Sequence, residues 1–390
     1  MRIGITCYPT YGGSGVVATE LGIELAALGH EVHFISYSQP FRLTGRETGI
    51  FYHEVPVSNY PLFEFPPYDL ALASRMAEVA EYYLLDLLHV HYAIPHSVSA
   101  LLARQMLAER GKNLPFVTTL HGTDITLVGM DRSYLPITRY AIQQSDGVTS
   151  ISDYLKTVTE TNFGVRTSRE GRPIEVVHNF VNCDVYRPFA EADSEVRAMA
   201  RARFAAPGEF LFMHLSNFRP VKRIADAVQI FARVAKQLPA RLALIGDGPD
   251  RSTAEWLAHS LGIHDRIHFL GKQDRVSELL PLADLMLMPS EMESFGLAAL
   301  EAMACETPAI ATRVGGVAEL ITDGHDGLLF PVGDVEAMAA ASIALLSDPD
   351  RHRAMRKAAR KTAQDRFCST RILPRYIAFY ESLISKSPAL

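Results

Sequence analysis

Apolar residues along this chain fall in short runs of strand type, and these alternate with stretches of helical period. Residues 2–7 read as a buried strand. A glycine-rich turn, Tyr8-Pro-Thr-Tyr-Gly-Gly-Ser-Gly15, follows, then a helix with Val16, Leu21, Leu25 and Leu28 toward the core. Gly29 closes that helix, and 31–35 is the next strand. Strands are then predicted at 51–55, 87–91, 116–120, 147–150 and 174–179. Helices are predicted at 69–83, 95–110, 134–144 and 153–163. The segment Phe180-Val-Asn-Cys-Asp-Val-Tyr-Arg-Pro188 breaks the period, which puts a domain boundary near 185. The alternation restarts with strands at 210–216, 240–246, 268–271, 285–288, 308–312 and 327–330, and helices lie between them.

Regular alternation of this kind predicts an α/β chain with two Rossmann-like domains. Each holds a largely parallel sheet covered by helices on both faces, and the two face a cleft. The first spans 1–185 and the second 186–369. A last helix within 370–390 crosses back onto the first. Ligands of such sheets bind beyond the C-terminal ends of the strands. Tyr92, His121, Ser150 and Asn179 all fall there, and so do Ser14 on the glycine turn and Thr119 near the end of its strand.

Composition narrows the class. Hydrophobic content of 48% and charged content of 21% are ordinary for a folded enzyme. A net charge of −6 argues against general nucleic-acid binding, so an anionic ligand would need local cations and helix starts. No apolar run reaches membrane-spanning length, and the first strand begins at the N-terminus, which predicts a cytoplasmic chain without a signal peptide. Cys7, Cys183, Cys305 and Cys368 form no Cys-x-x-Cys pair and read as buried thiols. No His-Glu-x-x-His spacing occurs, and no metal is expected. The tail Lys386-Ser-Pro-Ala-Leu390 reads as disordered. The oligomeric state stays open, a homodimer included.

The densest chemistry lies at Glu291-Met-Glu-Ser-Phe-Gly-Leu-Ala-Ala-Leu-Glu301. The strand ends at Pro289, and the helical pattern starts after Ser294-Phe295-Gly296. The amides of Phe295, Gly296 and Leu297 therefore sit at a helix start, where a phosphate is favoured. Glu293 stands at the mouth of the turn, and Glu301 stands about two turns into the helix. Phosphate-binding amides beside two hydroxyl acceptors suit a sugar nucleotide. Ser216-Asn-Phe-Arg219-Pro-Val-Lys222-Arg223 adds Arg219 and Lys222 at another strand-to-helix turn, a credible diphosphate clamp. The turn Gly246-Asp-Gly-Pro-Asp250 reads as turn chemistry that a ligand could pass over. The turn at Gly13–Gly15 lacks the dinucleotide spacing, and no acid ends the second strand. His121, followed by Gly122 and Asp124, is the sharpest histidine; His89, His91 and His178 are weaker candidates. A glycosidase pair at Glu293 and Glu301 is disfavoured, because both would have to flank one sugar from opposite sides.

Taken together, Glu293-x7-Glu301 around Ser-Phe-Gly, Gly12-Gly-Ser-Gly15, His121-Gly-Thr-Asp124 and the Lys222 region resemble the retaining family-4 glycosyltransferases of GT-B fold. The resemblance covers nearly the whole chain in order. The runs Gly4-Ile-Thr-Cys-Tyr-Pro9, Pro40-Phe-Arg-Leu43 and Val90-His-Tyr-Ala-Ile-Pro95 resemble more narrowly the members of bacillithiol synthesis that move N-acetylglucosamine from its UDP donor to L-malate. The resemblance implies that Glu301 accepts the ribose hydroxyls and Glu293 a sugar hydroxyl. It implies that Phe295–Leu297, Ser294, Arg219, Lys222 and the Gly13, Ser14, Gly15 turn hold the diphosphate, and that His121 stands beside the donor sugar. UDP-N-acetylglucosamine would be a co-substrate, with no metal or other cofactor. Many members carry an arginine five residues before the lysine; here that position is Asn217. Acceptor contacts are expected among Ser14, Tyr92, Thr119, Ser150 and Asn179, with Arg42 adding charge. Three other readings compete: a family-4 transferase with another donor or acceptor, a UDP-sugar epimerase or hydrolase using His121 as acid or base, and a nucleotide-binding regulator without turnover.

Overall fold

The computed structural model describes residues 1–10, 12–58 and 61–385. Lys386–Leu390, read above as disordered, lies outside the described residues. The chain divides into two compact units, Met1–Asn179 with the chain from Ile372 onward, and Phe180–Arg371.

The first unit holds β1 (Arg2–Thr6), β2 (Glu31–Ser36), β3 (Ile50–Glu54), β4 (Leu87–His91), β5 (Phe116–Leu120), β6 (Gly147–Ser150) and β7 (Glu175–Val176). They form one sheet in the order β3–β2–β1–β4–β5–β6–β7. Every pairing is parallel. Helices cover both faces of the central strands, so β4 and β5 are buried at every residue, His89 and His91 of β4 included. β7 is shorter than the predicted 174–179. Its partner β6 stops at Ser150, which pairs with Val176, and beyond it the backbone has no ladder to join.

Helix Ser369–Ile384 delivers the end of the chain to this unit. Tyr380 is fully buried, and its hydroxyl lies 2.7 Å from Nδ1 of His89, in hydrogen-bond contact. Arg172 binds the Ser382 carbonyl at 2.7 Å. Gly147 leaves the room that Phe379 fills, since a Cβ there would lie 2.6 Å from the ring.

The second unit holds β8 (Phe210–Leu215), β9 (Ala240–Ile245), β10 (Ile267–Gly271), β11 (Leu285–Met288), β12 (Ala309–Thr312) and β13 (Gly327–Phe330). Their order is β10–β9–β8–β11–β12–β13, again all parallel. Helix Ile224–Val234 buries Ile224, Ala227, Val228, Phe231 and Val234, one apolar stripe at helical spacing, against Phe212, Leu242 and Leu287 of the sheet. All four cysteines are buried thiols. Among the described residues no helix is long and apolar enough to cross a membrane.

Both sheets reverse their direction of growth once, between β1 and β4 in the first unit and between β8 and β11 in the second. The loops after the two central strands diverge there, which opens a crevice at the strands' C-terminal edge.

Candidate active site

In the second unit the switch point is flanked by the loop after β8, which carries Arg219 and Lys222, and the loop after β11, which carries Glu293. Phe218 is fully buried with φ +41°, and it anchors the first loop. The turn Gly246-Asp-Gly248 lies directly against this loop. A Cβ at Gly246 would sit 1.8 Å from the Ser216 carbonyl, and one at Gly248 would sit 2.1 Å from the Asn217 carbonyl. These glycines are therefore needed for packing. Asp247 accepts the Gly248 amide at 2.9 Å and completes the turn.

The two loops are joined. The Glu291 amide donates to the Val221 carbonyl at 2.7 Å. Lys222 Nζ lies 2.7 Å from Glu293 Oε1, and Ser290 Oγ donates to the same oxygen at 2.8 Å. Thr312 at the end of β12 holds the Ser290 carbonyl, and the Gly316 amide donates to the Glu293 carbonyl at 3.2 Å. Among the described residues, both side-chain bonds of Glu293 fall on Oε1, so Oε2 remains able to accept. Arg219 is exposed on its loop, whereas Arg223 is spent on Asp226 at 2.7 Å.

Below this pair, His214 at the end of β8 is buried. Its Nδ1 lies 2.9 Å from the Leu287 carbonyl, which can only accept, so Nδ1 carries the proton. Nε2 then takes the Ser216 hydroxyl proton at 2.8 Å, and Ser216 Oγ in turn accepts the Phe218 amide. Burial pushes His214 down to about 4, so it stays neutral.

Helix Leu297–Ala304 starts at Gly296, whose φ of +97° is left-handed and suits glycine. Phe295 is buried edge-on against Phe367, 5.5 Å between centroids, and this pins the turn. Glu301 is buried on the helix and accepts the Tyr186 hydroxyl at 2.8 Å. Arg360 supports Tyr186 from behind by binding its carbonyl and those of Cys183 and Ala304.

In the first unit, helix Gly13–Ala27 begins at the switch point. A Cβ at Gly15 would lie 2.5 Å from the Tyr8 carbonyl, so the helix start is pressed against the loop after β1. Ser14 Oγ donates to the Tyr92 hydroxyl at 3.3 Å. Tyr92 has φ +88° and lies parallel to the His121 ring at 5.5 Å. His121 is buried, and its Nε2 lies 2.8 Å from Nδ1 of His91. Burial holds His121 down at about 3. Asp124 is also buried, and it accepts the amides of His121, Gly122 and Ala93 at 3.1, 2.8 and 2.9 Å. Its role is to clamp the loop that presents His121.

Three expected acceptor contacts fare differently from Ser14 and Tyr92. Thr119 is fully buried, and its hydroxyl is shared among His89, Thr149 and Tyr376. Ser150 is fully buried and donates to the Ser152 carbonyl at 2.9 Å. Both hydroxyls are engaged inside the first unit. Asn179 is buried three residues beyond the short β7, and its Oδ1 has no hydrogen-bond partner among the described residues. Arg42 is paired with Glu20 at 2.8 Å. Tyr186, Ser290 and His214 were not legible as site residues in the sequence. Tyr186 lies in the aperiodic 180–188 stretch, where nothing signals its contact with Glu301.

The family model for glycosyltransferase family 4 matches residues 11–185, and that for glycosyl transferases group 1 matches residues 197–362. Over 384 residues the chain is 48% identical to an N-acetyl-alpha-D-glucosaminyl L-malate synthase of Bacillus anthracis, covering 98% of this chain and 97% of that one. The chain belongs to the family-4 glycosyltransferases. Its fold is that of GT-B glycosyltransferases. A Rickettsia africae glycosyltransferase superposes with a TM-score of 0.78 at 21% identity over 99% of both chains. HepE of Anabaena, in complex with UDP and glucose, superposes with a TM-score of 0.80 at 19% identity over 98% of this chain and 100% of that one. In this family-4 glycosyltransferase each of the two units carries its own parallel sheet, and the Lys222–Glu293 link and the Glu301 helix lie in the second.

Proposed function

We propose that this glycosyltransferase moves N-acetylglucosamine from UDP-N-acetylglucosamine to the hydroxyl of L-malate, with retention at the anomeric carbon. The observation that carries this reading is the 48% identity to the Bacillus anthracis synthase over nearly the full length of both chains.

The second unit's chemistry fits the donor. Glu301 accepts ribose hydroxyls, with Tyr186 holding one carboxylate oxygen in place. Lys222 has three N–H donors, and Glu293 occupies one, so the ammonium can also reach a diphosphate oxygen. Arg219 and the amides of Phe295, Gly296 and Leu297, beside Ser294, add positive potential for the same group. Glu293 Oε2 accepts a sugar hydroxyl. In the first unit, Ser14 and Tyr92 offer polar contacts to the acceptor, the turn Gly13–Gly15 offers amides to phosphate, and His121 offers a ring nitrogen.

In the reaction the C1–O bond to the diphosphate breaks and a bond from C1 to the malate oxygen forms. The malate hydroxyl proton passes to the departing phosphate oxygen, and UDP leaves. Lys222 and the helix start stabilise the charge that grows on UDP, so catalysis is positioning plus charge stabilisation. Neither carboxylate acts as nucleophile.

Incubation with UDP-N-acetylglucosamine, with and without L-malate, tests this reading. The expected result is UDP release only with L-malate, together with an α-linked glycoside seen by NMR. Release without malate would make the protein a hydrolase, and release with another hydroxy acid alone would reassign the acceptor.

A further inference from the structure

We infer that His91 is a positioning residue for His121, holding that ring with its proton on Nδ1, the nitrogen turned away from His91.

The two rings meet edge to edge. His91 Nδ1 and His121 Nε2 are 2.8 Å apart, with centroids 5.0 Å apart and planes within 29° of each other. The hydrogen bond therefore runs close to both ring planes. Burial keeps both rings neutral, with His121 at about 3 and His91 well below the ordinary histidine value. A neutral pair shares one N–H between these two nitrogens.

Two arrangements are open, and the far side of His91 decides between them. His91 Nε2 is buried and has no hydrogen-bonding protein partner among the described residues. If His121 donated, His91 would carry its own proton on Nε2, as a buried N–H with no protein acceptor. If His91 donates from Nδ1, Nε2 keeps only a lone pair. Orphaned buried N–H groups are the rarer and costlier of the two. His91 therefore donates, and His121 Nε2 accepts.

The neighbouring ring makes the same choice independently. His96 Nδ1 lies 2.6 Å from the His91 carbonyl, which can only accept, so Nδ1 carries the proton. His96 Nε2 likewise has no hydrogen-bond partner among the described residues, and again it is a lone pair. His89, 4.4 Å from His91 between centroids, does not compete, because Thr119 and Tyr380 occupy its two nitrogens.

The consequence is chemical. With Nε2 accepting, the remaining nitrogen of His121 is an N–H donor without a lone pair. It can stabilise an oxygen of the substrate, and it cannot act as a base. Asp124 fixes the backbone of the same residue, so ring and main chain are held from two sides. The effect on turnover rests on the proposed role of His121; the tautomer does not.

The test is a long-range ¹H–¹⁵N correlation spectrum of the full-length protein labelled with ¹⁵N-histidine, with His121 assigned from the spectrum of His121→Gln. The expected spectrum shows a pyrrole-type Nδ1 and a pyridine-type Nε2 at His121; the reverse assignment overturns the inference whatever His121 does in turnover. In parallel, His91→Asn keeps an N–H donor near Nε2, and His91→Leu removes it. Folded His91→Leu should lose about tenfold or more in kcat, the order of one lost hydrogen bond, with KM values nearly unchanged and partial recovery in His91→Asn. Equal kcat in all three, while His121→Ala is impaired, would overturn the positioning role. An unimpaired His121→Ala would instead remove the role of His121 and leave the spectrum to decide the tautomer. Should His91→Leu fail to fold, the wild-type spectrum and His91→Asn still decide.

Discussion

Lys222 and Glu293 form an ion pair of 2.7 Å across the switch point of the second sheet, one from each of the two diverging loops. Both side chains are only partly exposed, 22% and 13%, so the contact is screened less than a surface pair. The pair places a cation and an acceptor side by side where a sugar diphosphate needs both.

The two residues should fail differently. Lys222→Ala removes a charge-assisted contact to the diphosphate, and UDP affinity should fall by about ten- to a hundredfold. Glu293→Gln keeps Lys222 and should leave UDP affinity within about threefold, while turnover of UDP-N-acetylglucosamine falls. Calorimetry with UDP and steady-state kinetics separate the two. Equal loss of UDP affinity in both variants would mean that Glu293 acts only through Lys222. Arg219→Ala should cost less than Lys222→Ala, because Arg219 is exposed.

Glu301 and Tyr186 make the second pair. Glu301→Ala should weaken UDP by about tenfold or more through the lost ribose contact. Tyr186→Phe keeps the carboxylate but frees its orientation, so it should weaken UDP by less than Glu301→Ala. UDP titrations of both variants check the order. Wild-type affinity in Glu301→Ala would remove the ribose assignment altogether.

The strand positions were legible because fully buried parallel strands leave short apolar runs between helical stretches, as in Leu285-Met-Leu-Met288. β7 shows the limit: Ile174, Val176 and Val177 read as a longer strand, but the ladder ends where β6 ends. The turn and helix start between Glu293 and Glu301 were legible because Pro289, Gly296 and the apolar period that follows are local signals. Thr119 and Ser150 stand at strand ends in the sequence, which does not say which way a hydroxyl points, and in the structure both hydroxyls are buried and bonded within the protein. Tyr186 stayed invisible for a related reason. Its partner Glu301 lies 115 positions away, and no local pattern links them.

Gly296 sets the entry of the Glu301 helix. Its φ is +97°, and a Cβ would meet Val317 Cγ2 at 3.2 Å. Gly296→Ala should cost about 1–2 kcal/mol from the left-handed backbone alone, and Val317 adds to it. The relieved backbone would turn the amides of the helix start, so UDP affinity should fall together with the melting temperature. A variant that melts like wild type and binds UDP normally would show that this turn tolerates a side chain.

The buried histidines make stability depend on pH. Burial lowers His89 and His121 to about 3 and His96 and His214 to about 4, against an ordinary value of 6.5. In the unfolded chain these rings protonate as pH falls through 6.5, and in the folded chain they do not. Between about pH 6.5 and 4 the unfolded state therefore binds more protons, so stability must fall as pH falls. Each ring contributes up to about 1.4 kcal/mol per pH unit over that window. Urea unfolding at intervals from pH 7.5 to 5 should show a plateau above the ordinary histidine value and a steady loss below it. His96→Gln removes one of these rings, and its profile should be shallower than that of wild type. An unchanged slope in that variant would mean that His96 takes up its proton in the folded protein as readily as in the unfolded chain.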